Sequence, residues 1–374
     1  MGLPLIKNII NYKIFMAEFE AIAMLKKFKE RFEPYLKAYF QKKLKQAGEI
    51  DIIAEETLRM IMDYTMAGGK RIRPAFLYFG YLAAGGNDEK KILETSMCVE
   101  LLHSFLLIHD DIMDRDASRH GVPTLHERFK NIGKKYKISN DSEHFGNSMA
   151  MMAGDITAAM ACEVIFNSKF PAEIVVKALD KLQDLVFITA PGEMMDMIME
   201  YSGKATEEEI LKMHEGKTAR YTFEGPLHLG CLLAGGDEKM LEHFSKYALP
   251  LGKAFQIQDD ILGIFGDKEK IGKPVGSDII EGKQTLLVIK TLELGNSEQK
   301  NIIKKYLGKK DLTSKEAELF KGAVKDSGAL EYSQNLAEGL INESLTALRE
   351  IDFRNKEAKV FLEVIAKYVL SREI

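Results

Sequence analysis

Almost every periodic segment of this chain repeats its apolar residues at the spacing of an α-helix, and almost none alternates as a half-buried strand would. Capping boxes that begin at Thr206 and Thr313 mark two helix starts. The pattern predicts an all-α bundle, with 115–124 as a loop and 130–146 as an exposed polar excursion. Helices are predicted near 17–46, 51–66, 73–84, 89–113, 147–168, 171–201, 206–233, 237–266, 276–294, 297–307, 313–326, 329–349 and 356–371.

The length of 374 residues would allow two domains, but no Pro-, Gly- or Ser-rich linker divides the chain. We expect one large domain over 17–374. The preceding arm, 1–16, either packs on that domain, which we favour, or touches lipid. No run of eighteen uninterrupted apolar residues occurs, so no membrane span is predicted.

The charge balance argues against one class of function, and the cysteines indicate the cellular compartment. A formal net charge of −4 argues against a general nucleic-acid surface, which needs clustered excess Lys and Arg. Cys98, Cys162 and Cys231 lie in apolar helical contexts without C-x-x-C spacing. Free thiols in a reducing cytoplasm are therefore expected.

Three carboxylates close one long apolar helical segment. Asp110, Asp111 and Asp114 share a helix face, where like charges cost a few tenths of a kcal/mol per pair. Asp259 and Asp260 end a second such segment. One acidic run alone is more often a solvated helix end. Two acidic faces turned towards each other would hold Mg²⁺, which prefers carboxylates together with substrate phosphate oxygens.

Cationic residues accompany both acidic motifs. Lys70 and Arg73 lie in a glycine-led turn that enters a helix, which is either an anion site or a basic surface turn. Lys217, Lys273 and Lys283 are each typical of a solvated face, but together they bracket the carboxylates. Such a set would neutralise a diphosphate leaving group. His103, two helical turns before Asp110, is either a buried core histidine or a phosphate donor.

In this order the motifs resemble those of the trans-isoprenyl (polyprenyl) diphosphate synthases over roughly 65–285. The resemblance implies an all-α bundle of the isoprenoid synthase type around a central cavity, and a cytoplasmic homodimer. The matching motifs are Gly69–Pro74, Glu100–His103, Asp110–Asp114, Arg119–Thr124, Gly154–Asp155, Lys217–Thr218, Phe255–Asp260 and Gly272–Pro274.

The resemblance also implies a reaction: Mg²⁺-dependent head-to-tail condensation of isopentenyl diphosphate with an allylic diphosphate. Two or three Mg²⁺ ions would assist ionisation of the allylic C–O bond in a site that excludes water. The implied metal ligands are Asp110, Asp111, Asp114, Asp259 and Asp260. The implied allylic diphosphate site is Arg119, Lys217, Thr218, Gln256, Lys273 and Lys283. Isopentenyl diphosphate would bind Lys70, Arg73, His103 and His120. The backbone carbonyl of Lys217, with Thr218 and Gln256, would stabilise the allylic cation.

Two residues depart from the family pattern. Gly263 stands where many members carry a third Asp, so one metal contact would pass through water or Asp267. His120 stands in place of an arginine. Imidazole is partly neutral at pH 7, whereas guanidinium is always charged. We therefore expect weaker or pH-dependent binding of isopentenyl diphosphate.

Product length is expected to depend on Phe105 and Leu106, about 7.5 and 6 Å along the helix axis before Asp110. The first acidic motif has no two-residue insertion, which resembles the archaeal type of geranylgeranyl diphosphate synthase. A C20 product is therefore expected, with C15 or mixed lengths as the alternative. On an ideal helix Phe105 points away from the Asp face. Three explanations are therefore open: the helix is kinked at this point, the product tunnel passes beside the helix, or Phe105 belongs to the hydrophobic core.

Two other functions share these motifs. A non-catalytic subunit of a heteromeric synthase usually lacks an acidic motif, and this chain has both. A terpene cyclase would use the same ionisation without condensation. The Gly69-Lys70-x-x-Arg73 site for a second diphosphate argues against a cyclase.

Overall fold

A computed structural model describes residues 3–138, 141–266 and 276–371, and nearly all of this backbone is helical. The helices are α1 Leu3–Ile50, α2 Ile52–Met66, α3 Ile72–Ala83, α4 Glu89–Thr95, α5 Met97–Met113, α6 Leu125–Lys135, α7 Ser142–Phe166, α8 Ala172–Ser202, α9 Glu207–His214, a π-helix Glu215–Glu224, α10 Gly225–Leu233, α11 Glu238–Phe265, α12 Ser277–Glu281, α13 Leu286–Leu294, α14 Ser297–Tyr306, α15 Ser314–Asp326, α16 Ala329–Leu348 and α17 Lys356–Ser371. The predicted all-α class is confirmed.

The main departures from the predicted bounds lie at the N-terminus and after the first acidic motif. Helix α1 begins at Leu3 rather than near residue 17. The predicted excursion was wrong for 130–135, which belongs to α6. The many charges of α6 obscure an apolar stripe in which Leu125 and Phe129 are buried.

The predicted loop after α5 contains a two-residue β-ladder. Strand β1 (Ser118–Arg119) pairs antiparallel with β2 (Val122–Pro123). The ladder folds the chain back, so that Arg119 returns to the end of α5.

One predicted long helix, 206–233, is divided by the π-helix. Its start at the Thr206 capping box is confirmed, as is that of α15 at Thr313. Pro226 has no N–H to donate to the carbonyl four residues earlier. The N–H of Gly225 donates instead to the carbonyl of Arg220, five residues back. A π-turn inside a helix often marks a functional site.

The core is built where long helices cross. Helix α11 packs on α16 and the π-helix, α5 on α7, and α3 on α10. Phe76 meets Phe223 of the π-helix edge-on at 5.0 Å between ring centres. Phe79 stacks on Phe361 of α17. The π-helix is therefore held by the main core, and its position is fixed by packing.

Two segments, Glu89–Met113 and Ser142–Phe166, are long and apolar enough to cross a membrane by length and composition alone. The sequence predicts no span because neither is uninterrupted. Glu89–Met113 is 67% buried inside the fold, as a core helix would be. Ser142–Phe166 is 44% buried, and its exposed apolar face is described below.

Candidate active site

The first acidic motif ends α5, and its three carboxylates have different surroundings. The side chains of Asp110 and Asp114 are partly exposed, whereas that of Asp111 is 1% exposed. Asp111 accepts hydrogen bonds from the Tyr64 hydroxyl at 2.6 Å and from Arg119 Nε at 2.5 Å. Burial raises the pKa of Asp111 to about 6, although Arg119 and Tyr64 act in the opposite direction.

Arg119 holds this motif from the β-ladder. Its Nη2 donates to Asp110 Oδ2 at 3.1 Å and to Asp116 Oδ2 at 3.2 Å. Burial would lower the pKa of Arg119, but Asp111 and Asp110 outweigh it and the pKa is raised. The like-charge repulsion on α5 is therefore offset by a cation from another element, since α5 offers none at helical spacing.

Two lysines contact α8, and one of them also approaches the first motif. Lys217 of the π-helix donates to Asp196 Oδ2 at 2.6 Å and to Glu193 Oε1 at 2.9 Å. Lys283 Nζ lies 3.8 Å from Asp114 Oδ2 and 3.9 Å from Asp196 Oδ2. Burial would lower the pKa of Lys217, but the carboxylates raise it. Both lysines are thus held in the charged form beside the acidic motif.

Sequence reasoning missed Glu193 and Asp196. Their signal was available, because carboxylates three residues apart on the apolar α8 repeat the arrangement of the first motif. A Cβ at Gly192 would lie 2.5 Å from the backbone nitrogen of Lys217. The glycine therefore lets α8 approach the π-helix closely enough for Glu193 and Asp196 to reach the Lys217 ammonium.

The second acidic motif lies on the other side of the π-helix. Thr218 Oγ1 donates to Gln256 Oε1 at 2.6 Å, and Gln256 Nε2 donates to Asp260 Oδ1 at 2.9 Å. Asp260 is buried, whereas Asp259 is half-buried. Lys217 therefore contacts carboxylates beside the first acidic motif, and the next residue, Thr218, contacts Gln256 of the second motif.

A further carboxylate, missed by sequence reasoning, stands beside the second motif. A Cβ at Gly263 would overlap the carboxylate of Asp278 at the start of α12. Asp278 thus fills the space beside the position at which a third Asp is missing. Asp267, the alternative suggested by the sequence, lies outside the described residues, as does the predicted diphosphate ligand Lys273.

The glycine-led turn carries one cation that is buried in the fold and one that is exposed at the surface. Lys70 donates to the Tyr368 hydroxyl of α17, and its ammonium lies 5.0 Å from that ring centre. Arg71, in the left-handed conformation at φ 56°, is 3% exposed. It forms ion pairs with Glu100 at 2.5 Å and with Glu33 at 3.2 Å. Arg71 is therefore a buried structural cation, and Lys70 remains at the surface.

Arg73 and His103 meet at Tyr221 of the π-helix. The Arg73 guanidinium lies 4.4 Å from the Tyr221 ring centre and donates to Thr222 Oγ1 at 2.9 Å. His103 Nδ1 is 2.8 Å from the Tyr221 hydroxyl. Burial, followed by Arg73, lowers the pKa of His103 well below its usual value, so the imidazole is neutral. The structure therefore places these two predicted ligands together at Tyr221, about one turn after Lys217.

His120 covers Gly68, the first glycine of the basic turn. A Cβ at Gly68 would lie 2.7 Å from its Cγ atom, and its own backbone is left-handed at φ 50°. Burial lowers the pKa of His120, followed by the charges of Arg119 and Arg71. His120 thus lies beside the turn that carries Lys70.

The two predicted product-length residues face different ways. Phe105 packs edge-on against His109 at 4.8 Å between ring centres, and His109 Nε2 lies 3.1 Å from the Met151 carbonyl of α7. Leu106 lies one turn before Asp110, on its side of α5. Helix α5 contains no Pro and no π-turn, so the usual causes of a kink are missing. Phe105 therefore belongs to the seam between α5 and α7.

The donor set suits a hard cation that needs substrate oxygens. In the described ranges no three His, Cys, Asp or Glu side chains are grouped closely enough to hold a metal ion by themselves. Mg²⁺ is commonly held by one or two carboxylates, with phosphate oxygens and water completing its shell. The half-exposed carboxylates of both motifs, with lysines nearby, fit that arrangement.

Comparison with known proteins identifies the family of the chain. The family model for polyprenyl synthetase matches residues 55–325. The geranylgeranyl diphosphate synthase of Saccharolobus solfataricus is 35% identical over 308 residues, covering 82% of this chain and 87% of that protein. The geranylfarnesyl diphosphate synthase of Natronomonas pharaonis is 31% identical over 82% of this chain and 87% of its own length. The structure of geranylgeranyl pyrophosphate synthase from Corynebacterium glutamicum, complexed with isoprenyl diphosphate and magnesium, has a TM-score of 0.87, with 28% identity over 93% of this chain and 99% of that one.

Proposed function

Because the chain belongs to the polyprenyl synthetase family and is a prenyltransferase, we propose that it condenses isopentenyl diphosphate with an allylic diphosphate in a Mg²⁺-dependent, head-to-tail reaction. The observation that carries this proposal is the position of Lys217 and Thr218 between two acidic motifs. The basic turn contacts the same π-helix through the hydrogen bond from Arg73 to Thr222. One diphosphate would bind at the acidic motifs and the other at the basic turn.

The allylic diphosphate would bind between the acidic motifs. Asp110, Asp114 and Asp259 present the more exposed carboxylates, and Asp278 supplies the oxygen beside Gly263. Mg²⁺ bound there would neutralise the diphosphate and act as a Lewis acid on its oxygens. Asp111 and Asp260, the remaining predicted ligands, are buried and would orient their neighbours.

The cations of this site would assist departure of the diphosphate. Lys217 and Lys283 are held protonated by carboxylates, and Arg119 lies across the end of α5. Their charges oppose the negative charge that develops when the allylic C–O bond breaks. The Gln256 carbonyl and the Thr218 hydroxyl present partial negative charge at 2.6 Å from each other. They would stabilise the allylic cation without capturing it.

Isopentenyl diphosphate would bind at Lys70, Arg73, His103 and His120. Its double bond attacks the allylic carbon, a C–C bond forms, and the proton lost from the adduct passes to the departing diphosphate. This route needs no side-chain base. The neutral His103, held by Tyr221, is a hydrogen-bond partner for phosphate oxygen rather than a source of charge.

The proposed product is geranylgeranyl diphosphate (C20), with farnesyl (C15) or mixed lengths as the alternative. Relatives of this chain include both geranylgeranyl and geranylfarnesyl synthases, so chain length needs direct measurement. Purified protein is incubated with labelled isopentenyl diphosphate and an allylic primer, with Mg²⁺ or with EDTA. Longer diphosphates that require Mg²⁺ support the proposal. Hydrocarbons would indicate a cyclase, and no product with any primer would indicate a non-catalytic subunit.

We also propose a cytoplasmic homodimer whose interface is the outer face of α7 and α8. This face is unusually apolar for a protein surface, and Phe187 is 79% exposed. Its exposed apolar residues are Met151, Met152, Ile156, Phe187, Met194, Ile198 and Tyr201. Light scattering should give twice the chain mass for the wild type and a monomer for Phe187→Glu. The surface variant Phe19→Glu on α1 serves as a control and should remain dimeric. A monomeric wild type would refute this interface.

A further inference from the structure

A buried pair of polar side chains joins the helix before Lys217 to the second acidic motif. His214, the last residue of α9, is completely buried, and Asp260 of α11 is 7% exposed. His214 Nε2 lies 3.2 Å from Asp260 Oδ2. His214 was not among the residues that the sequence singled out.

Each of these two atoms lacks any other partner in the part of the chain that is described. His214 Nε2 and Asp260 Oδ2 are buried and form no aligned hydrogen bond. An unpaired buried carboxylate oxygen is costly, so a partner within 3.2 Å is expected to be used. A small rotation of the imidazole would align an Nε2–H with the oxygen. The neutral tautomer that carries its proton on Nε2 supplies this donor.

The other oxygen of Asp260 extends this contact to a chain of four side chains, which the helix backbone between His214 and Thr218 closes into a ring. Gln256 donates to Asp260 Oδ1, and Thr218 donates to Gln256. His214 and Thr218 are four residues apart on one helical segment, and Gln256 and Asp260 are four residues apart on the other. The ring therefore joins two helices at two successive turns, which fixes both their separation and their axial register.

Close backbone packing leaves the π-helix little freedom around this ring. A Cβ at Gly252 of α11 would overlap Ala219, and a Cβ at Gly192 of α8 would meet the backbone of Lys217. The π-helix is thus pressed between α8 and α11. A shift at His214 would move Lys217 relative to the carboxylates of both walls.

We propose that His214 is a positioning residue of the proposed condensation: its Nε2–H holds Asp260, and the ring His214–Asp260–Gln256–Thr218 sets the π-helix that carries Lys217. The inference rests on the proposed function, because it assigns His214 to the site at which Mg²⁺ and the allylic diphosphate would bind. Loss of the Nε2 donor should weaken Mg²⁺–diphosphate binding and turnover. Binding of isopentenyl diphosphate, whose proposed ligands lie outside this ring, should change little.

The test compares side chains that differ in where they place a donor. The amide of Gln can replace an Nε2–H, that of Asn ends about one bond short, and Leu has no donor. Outer partners of metal-site residues typically contribute about 10- to 100-fold to metal affinity or activity. For His214→Leu and His214→Asn we expect kcat to fall, and half-maximal Mg²⁺ to rise, by about tenfold or more. For His214→Gln both should recover to within about threefold, and the KM for isopentenyl diphosphate should change less than about twofold in all three.

A second measurement does not require condensation. The rise in melting temperature with inorganic pyrophosphate and Mg²⁺ together should be smaller for His214→Leu than for the wild type, and restored in His214→Gln. His243, on the same helix as Asp260, faces Glu350 at 3.7 Å, and His243→Leu should match the wild type in both assays. If the wild type binds Mg²⁺–pyrophosphate but does not form any elongated diphosphate, the proposed function fails. The melting-temperature comparison still tests the ring in that case. The inference is overturned if His214→Leu keeps its Mg²⁺ dependence, or if His214→Gln loses as much as His214→Leu.

Discussion

Replacing His120 by arginine should tighten isopentenyl diphosphate binding, and the gain should depend on pH. His120 lies over Gly68, two residues before Lys70, with its imidazole close to the basic turn. Burial lowers its pKa, and the charges of Arg119, Arg71 and Lys29 lower it further. Among the charges resolved around His120, that of Glu100 alone raises its pKa. The imidazole is therefore neutral at pH 7 and above, whereas an arginine would be charged.

The magnitude follows from one charge-assisted hydrogen bond. An ordinary histidine, with a pKa of about 6.5, is only about 3% protonated at pH 8, and His120 is protonated less. A hydrogen bond to a charged group contributes about 1.5–3 kcal/mol. The lower end applies because the side chain is exposed, which corresponds to about tenfold in KM for isopentenyl diphosphate. As the pH falls through the lowered pKa, His120 gains charge and the advantage of the variant should shrink.

The assay measures KM for isopentenyl diphosphate from pH 6 to 8 in the wild type and in His120→Arg. The diphosphate itself takes up a proton near pH 6, so the ratio of the two KM values is the quantity to compare. His120→Asn tolerates the left-handed backbone and stays neutral, and it should show no gain. His144→Arg adds the same charge at a remote exposed position and should match the wild type. A ratio near one at every pH, or a tenfold ratio that does not change with pH, would refute the reasoning.

Three further changes test other parts of the structure. Arg71→Met should destabilise the fold by about 3–5 kcal/mol, because it leaves the buried carboxylate of Glu100 without its ion-pair partner; Lys70→Met, one residue earlier, should keep the melting temperature and raise KM for isopentenyl diphosphate. Phe105→Ala should open the seam between α5 and α7 and lengthen the product, and Leu106→Ala beneath Asp110 should also lengthen it. Chromatography of the products measures the chain length. An unchanged product from Phe105→Ala would assign that ring to the core. Asp278→Asn should raise the Mg²⁺ concentration for half-maximal activity about tenfold with little change in stability, and an unchanged Mg²⁺ dependence would remove Asp278 from the site.

The helical periodicity predicted the fold class because each long helix buries one face, and periodicity records that face directly. It failed for α6, which carries four Lys and Arg residues and buries few large apolar side chains, Leu125 and Phe129 among them. Motif spacing identified the carboxylates of α5 and α11 because the members of each motif lie together on one helix. Asp278 was missed because it reaches the second motif from α12, and no local pattern indicates that approach.

The π-helix explains why the largest omissions surround Lys217. Successive residues of a helix point about 100° apart, so Lys217 and Thr218 cannot face the same wall. Lys217 accordingly reaches α8, and Thr218 reaches α11. Each contact needs a partner whose position depends on how closely the backbones approach at Gly192 and at Gly252. A sequence records that these residues are glycines, but not which helix comes close. The spacing of Glu193 and Asp196 can be read from the sequence, but their pairing with Lys217, and the approach of His214 to Asp260, become visible only once the three helices are seen together.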